Sequence, residues 1–280
     1  MAVVVVAGNE AGAGATTVAA GLAHRLAYAG HTVQIERLGD DARAASDAAT
    51  FGELEFATSS GSPVATAPAA PAGGVLILEA PAGTAPSSLA LPAGARLVVV
   101  GRDVSGAPSG AVGITNHSSW TTGLQIGEDH LLAAPTVGAL IEASRARVLA
   151  TSIDGDRAIC EYIVVGPVSS DADQDHFERY ARKAVVTRAE KVDIALAALR
   201  TDTRCLILSG GSDPSPYVID RVASDRRTTL LVAPEGTVET VRDIEATFGA
   251  SAFSGEEKVE RAGELMAAVI DDALAERLSS

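Results

Sequence analysis

Short apolar runs alternate with stretches of helical period along this chain, the pattern of a parallel sheet whose strands are joined by helices. Val3 to Val6 predicts a buried first strand. After a glycine-rich turn, Val18, Leu22 and Leu26 recur at i, i+4 and i+8 and mark one face of a helix. Gly30 stands where a left-handed C-cap would stop that helix. The next strand is expected over Thr32 to Glu36 and an acidic helix over Asp40 to Phe51. Val75 to Leu78 and Leu97 to Val100 predict two more buried strands, and Ala111 to Thr115 and Leu124 to Ile126 two weaker ones. Residues 58–74 are mostly Ser, Pro, Ala and Gly, which predicts a flexible loop or a trimmed connection.

A second series follows a helical stretch over Thr136 to Ala143. Its strands are expected at Val148 to Thr151, Ile159 to Val165, Ala184 to Thr187, Cys205 to Leu208 and Thr229 to Val232. Its helices are expected at 173–182, 190–199, 215–223, 237–248 and 256–278, the fourth with an apolar stripe of Val238, Val241, Ile244 and Phe248. The fold class is therefore α/β: a P-loop-like parallel-sheet domain over 1–144, then a smaller α/β domain over 145–280, with the boundary near Ser144.

Composition narrows the function classes. No run approaches 18 apolar residues, so no transmembrane helix is expected. The apolar start lacks the positive segment of a signal peptide, and the expected location is cytoplasmic. Cys160 and Cys205 lie in apolar runs at a spacing that fits no metal motif, which assigns them to core packing. The five histidines share no metal or triad spacing. The net charge of −14 repels nucleic acid and discounts it as a partner. The 22 basic residues are 19 Arg and only 3 Lys (Lys183, Lys191 and Lys258). Two origins fit that balance: life in concentrated salt, which screens carboxylate repulsion, or a high-GC genome. The size of the charge favours a halophilic, acidic protein.

Residues 8–17 read GNEAGAGATT, after a strand and before a helix, the context in which backbone N–H groups cradle a phosphate. Gly8, Gly12, Gly14, Thr16 and Thr17 are the candidate nucleotide-loop residues. The run resembles the loop of the dethiobiotin synthetase and ParA/MinD-like P-loop families, in which Gly8, Gly14 and Thr16 match. Ala15 stands where those families hold their phosphate lysine, and Glu10 where the ParA branch has its second one. A lysine about 4 Å from a phosphate contributes on the order of 4 kcal/mol at an effective dielectric near 20. Phosphoryl transfer depends on such electrostatic positioning, so the substitution argues for a degenerate loop without catalysis. Val75 to Gly83 looks like the Walker B strand of these families. Glu79 then falls at its carboxyl end, either as a magnesium ligand or as a solvated carboxylate.

Four further stretches resemble the N-terminal, non-catalytic part of phosphotransacetylase family proteins, a dethiobiotin-synthetase-like domain followed by a DRTGG domain. They are Gly127 to Glu142 at the junction, Ala184 to Leu199 at a strand-to-helix crossover, and the strand ends Cys205 to Gly211 and Ala233 to Val241. The acetyltransferase domain that would follow in that family is not in this sequence. The resemblance implies a regulatory or assembly protein in acetyl-CoA/acetyl-phosphate metabolism, with a separate phosphotransacetylase catalytic subunit as a partner and a homo-oligomer as its state. No catalytic or metal residues are assigned, and a nucleotide is the one cofactor the pattern suggests. Two other functions fit parts of the pattern: an ATP-dependent dethiobiotin-synthetase-like enzyme, and a stand-alone nucleotide-sensing module like the DRTGG domains paired with CBS domains. The strand ends Thr187-Arg188, Ser209-Gly210-Gly211 and Pro234 to Thr237 each precede a helix. In a parallel sheet they line one edge, where they form a candidate anion site.

Overall fold

The computed structural model describes residues 2–117, 123–166 and 176–280, and the chain divides into two compact units, Met1–Asp129 with Ala252–Ser280, and His130–Ser251. In the first unit, β1 (Ala2–Gly8), α1 (Ala15–Tyr28), β2 (Val33–Arg37), α2 (Ala44–Gly52), β3 (Val75–Glu79), β4 (Arg96–Gly101), β5 (Val112–Asn116) and β6 (Leu124–Ile126) follow in chain order. The six strands are all parallel, in the order β2-β3-β1-β4-β5-β6. The continuous valine run of β1 follows from its central place, because helices or loops cover both faces of such a strand. β1 also marks the reversal of strand order: the chain first winds to one side through β2 and β3, then crosses to β4 on the other. Open α/β sheets hold ligands beyond the carboxyl end of the strand at such a switch point.

Gly30 ends α1 as the sequence suggests, with φ +94°. The His31 N–H donates to Leu26 O at 3.1 Å and the Gly30 N–H to Ala27 O at 2.9 Å, the paired bonds of a Schellman motif. Of residues 58–74, expected as a flexible loop or a trimmed connection, 58–64 cover the β2 edge. Ile35 N–H donates to Thr58 O, Val64 N–H to Arg37 O, and the Ser60 N–H and hydroxyl both bond the Glu36 carboxylate. An uncovered edge would leave those backbone groups unpaired.

The second unit runs α3 (His130–Ala133), α4 (Val137–Ser144), β7 (Arg147–Ala150), β8 (Tyr162–Val165), β9 (Lys183–Arg188), α5 (Val192–Ala198), β10 (Thr203–Ser209), α6 (Pro216–Asp225), β11 (Thr229–Val232) and α7 (Thr237–Glu245). Its sheet has the order β7-β11-β10-β9-β8, parallel from β11 to β8, with β7 antiparallel at the edge. Thr136 caps α4 by accepting from the Ala139 N–H. Two corrections arise here. Of the helix expected over 173–182, residues 173–175 lie outside the described residues and 176–182 form turns. In α7 the expected stripe fails at Val238, which is 76% exposed, while Ile244 is buried with Val241 packed beside it.

The last stretch, expected as one helix over 256–278, is two: α8 (Glu256–Val269) and α9 (Asp272–Ser279). Asp271 starts the second by accepting from the Leu274 N–H at 2.8 Å. Both pack in the first unit, so the residues after 251 leave the unit that precedes them. Gly21 makes this possible, since a Cβ there would lie 2.6 Å from Ala262 O and 2.7 Å from Met266 Cγ.

Candidate functional site

The glycine-rich loop forms the turn between β1 and α1, at the sheet's switch point. Gly12 and Gly14 take φ of +75° and +88°, a region that only glycine enters without strain. Asn116, at the end of β5, donates from Nδ2 to Ala13 O at 2.9 Å and packs against Gly14 so closely that no Cβ would fit. A Cβ at Gly8 would lie 3.1 Å from Ala13 Cβ and 3.2 Å from Glu10 O, so the turn is tight at its start as well. Among the described residues, the N–H groups of Gly14, Ala15, Thr16 and Thr17 donate to no acceptor of the chain. They are the exposed donors of a helix N-terminus. Glu10 does not oppose an anion there, because its Oε1 accepts from the Arg102 N–H at 3.3 Å.

Behind the loop lies a chain of polar contacts. The Thr16 hydroxyl donates to Glu79 Oε1 at 2.8 Å. Arg37, at the end of β2 and 1% exposed, sits 3.5 Å from Glu79 Oε2, 3.4 Å from Asp47 Oδ2 and 2.6 Å from Asp41 Oδ2, and also bonds Leu38 O. Glu79 Oε2 has no hydrogen-bond donor, although Arg37 is within ion-pair distance. Burial raises the Glu79 carboxyl to about 8; Arg37 opposes the rise and Asp47 adds to it. Asp47 is raised by the same desolvation. Burial thus favours the protonated form of Glu79.

The related loops use a divalent cation, but these residues do not fit one. The guanidinium of Arg37 is already the cation beside these carboxylates, within 3.5 Å of Glu79, Asp47 and Asp41. Among the described residues no group of three potential ligands is arranged around a metal position. Arg25 does not supply the missing lysine either, since it bonds Ile270 O and Asp272 at the far end of α1. The arrangement can hold an anion through backbone N–H groups.

In the second unit three of the expected residues converge at the carboxyl edge. Ser209 Oγ lies 2.8 Å from Thr237 Oγ1 and donates to Thr187 O at 3.3 Å. Thr187 is covered on one side by Gly166, where a Cβ would lie 2.9 Å from Thr187 Oγ1. Gly210 and Gly211 take φ of +92° and +72°, but their N–H groups are spent on Glu235 O at 2.7 Å and Ala233 O at 2.9 Å. Arg188 stands apart, two-thirds exposed, with Nε 2.7 Å from Glu190 Oε1. Among the described residues, the N–H groups that open α7 at Thr237 meet no acceptor and lie beside the Ser209 hydroxyl.

Sequence reasoning missed Arg37 as the hub of the first site, along with Asp41, Asp47 and Asn116. A charged residue closing a buried strand was the available signal for Arg37. Nothing in the sequence marked Asn116.

Among the described residues no helix is long and apolar enough to cross a membrane. A solved structure of the CBS and DRTGG domains of the regulatory region of Clostridium perfringens pyrophosphatase, complexed with the activator diadenosine tetraphosphate, is similar at 17% identity and a TM-score of 0.36. The similarity covers 47% of this chain and 56% of that one. The profile of the DRTGG domain family matches residues 139–247, and the second unit therefore contains a DRTGG domain.

Proposed function

We propose that this chain is a non-catalytic regulatory or assembly protein that senses a nucleotide or another anionic metabolite. The observation that carries the reading is a DRTGG domain in the same chain as a phosphate-type loop that lacks its lysine and, among the described residues, a group of metal ligands. The sensing edge is that of β9, β10 and β11, where Thr187, Ser209 and Thr237 gather and α7 presents its free N–H groups. Arg188, held only by an exposed pair to Glu190, swings in to meet a phosphate or carboxylate. Gly210 and Gly211 shape the turn and do not touch the ligand.

The resemblance to the N-terminal part of phosphotransacetylases supports a place in acetyl-CoA/acetyl-phosphate metabolism, with a separate catalytic subunit as the partner. Apolar side chains left exposed on the second unit, among them Val148 on the edge strand β7, Ile153 and Tyr217, support a homo-oligomer. The test titrates the full chain by calorimetry with ATP, ADP, diadenosine tetraphosphate, acetyl phosphate and acetyl-CoA, with mass followed by light scattering. Binding of one of these that Thr237→Val and Arg188→Ala weaken about tenfold supports the reading. A monomer that binds none of them ends it, and sustained ATP hydrolysis would instead favour the dethiobiotin-synthetase-like enzyme.

A further inference from the structure

The loop of the first unit lacks its lysine, and the same unit buries a lysine that has no partner. Lys258 lies in the first turn of α8, its side chain is fully buried, and its Nζ meets no hydrogen-bond acceptor. It is the one lysine of this unit, since Lys183 and Lys191 belong to the other.

The packing of α8 on α1 fixes where Lys258 stands. Gly21 faces Ala262 and Met266, His24 faces Gly263, and Arg25 reaches Ile270 O at 3.3 Å. From Gly21 with Ala262 to Arg25 with Ile270 the contacts advance in the same direction along both helices, so the helices run parallel. One turn before Gly21 is Thr17, in the opening turn of α1; one turn before Ala262, on the same face of α8, is Lys258. Helical side chains lean toward the N-terminus of their helix. In a parallel pair the Lys258 stem therefore leans toward the loop end of α1. An isolated buried ammonium is unfavourable and calls for an anion. Burial lowers Lys258 to about 8, and among the described residues no carboxylate offsets it.

We propose that Lys258 is the cation of a phosphate site completed by the N–H groups of Gly14 to Thr17, in place of the lysine that Ala15 has displaced. Its ligand class is a phosphoryl group, carried by free phosphate, pyrophosphate or a nucleoside phosphate. The N–H groups are unclaimed, Glu10 is turned to the Arg102 N–H, and Arg25 and Arg37 are engaged elsewhere. The site is separate from the sensing edge of the second unit and does not depend on it.

The full chain with its lysines isotopically labelled gives three side-chain signals, assigned by the single Lys→Arg variants. Titration with pyrophosphate and with ADP should move the Lys258 signal and leave those of Lys183 and Lys191 in place, while adenosine moves none. By calorimetry Lys258→Met should weaken pyrophosphate binding at least about tenfold, which is 1.4 kcal/mol. Lys258→Arg should retain it. A Lys258 signal that stays fixed at saturation overturns the proposal, as does the absence of any wild-type binding of pyrophosphate or ADP. Adenosine binding as tightly as ADP would also overturn it. Should Lys258→Met fail to fold, the labelled wild-type titration decides alone.

Discussion

Replacing Glu79 with glutamine should stabilise the first unit, by an amount that grows with pH. Burial lifts the Glu79 carboxyl from 4.5 to about 8 in the folded chain. Between those values the folded protein keeps a proton that the unfolded chain has released. A group raised in this way contributes its full stability below pH 4.5 and loses it as pH rises through 8. The shift of 3.5 units, 8 minus 4.5, at about 1.4 kcal/mol per unit, makes the loss on the order of 5 kcal/mol above pH 8. Glutamine does not titrate, and its Oε1 still accepts from the Thr16 hydroxyl. Urea unfolding of both proteins from pH 5 to 9 should therefore show a stability difference growing by about 1.4 kcal/mol per pH unit and levelling off near 8. Lys183 and Lys258, both lowered to about 8, give a slope of the opposite sign above that pH, but they are common to both proteins and cancel in the difference. A difference that is flat across the range, or that shrinks toward alkaline pH, would refute the assignment of a buried, protonated Glu79.

Ala15→Lys should raise ADP affinity about tenfold by calorimetry, because Glu10 points to Arg102 and does not oppose it. ATP turnover by the same variant should stay at background in a phosphate-release assay, since no metal ligands are gained. Gly21→Leu should cost about 3 kcal/mol by driving a side chain into the Ala262 backbone, and limited proteolysis should then release residues 252–280 early. If the charge of −14 reflects adaptation to salt, the melting temperature should climb steeply toward molar salt, where the Debye length falls to about 3 Å; a value indifferent to salt would return the composition to genome bias.

What the sequence determined by itself was local. The valine run of β1, the period of Val18, Leu22 and Leu26, the Schellman stop at Gly30 and the turn of residues 8–17 follow from backbone preference and burial pattern within a few residues. The absence of a loop lysine is likewise legible at Ala15 alone. Tertiary structure decided whatever depends on strand order and helix docking. Arg37, Asp47 and Glu79 come from two strands and a helix, and they meet because β2 and β3 are neighbours with Arg37 in register with Glu79. An amphipathic period predicts that 256–278 buries a face but not which sheet receives it; the small residues Gly21 and Gly263 turned α8 onto α1. The stripe of α7 failed at Val238 for a similar reason, since that residue lies in the first turn, at the open edge of the sheet. Hydrophobic periodicity records that a face is covered. Only the packed chain records by what, and that is why Lys258 carries no signal in the sequence yet lies one turn from the helix face that meets Gly21.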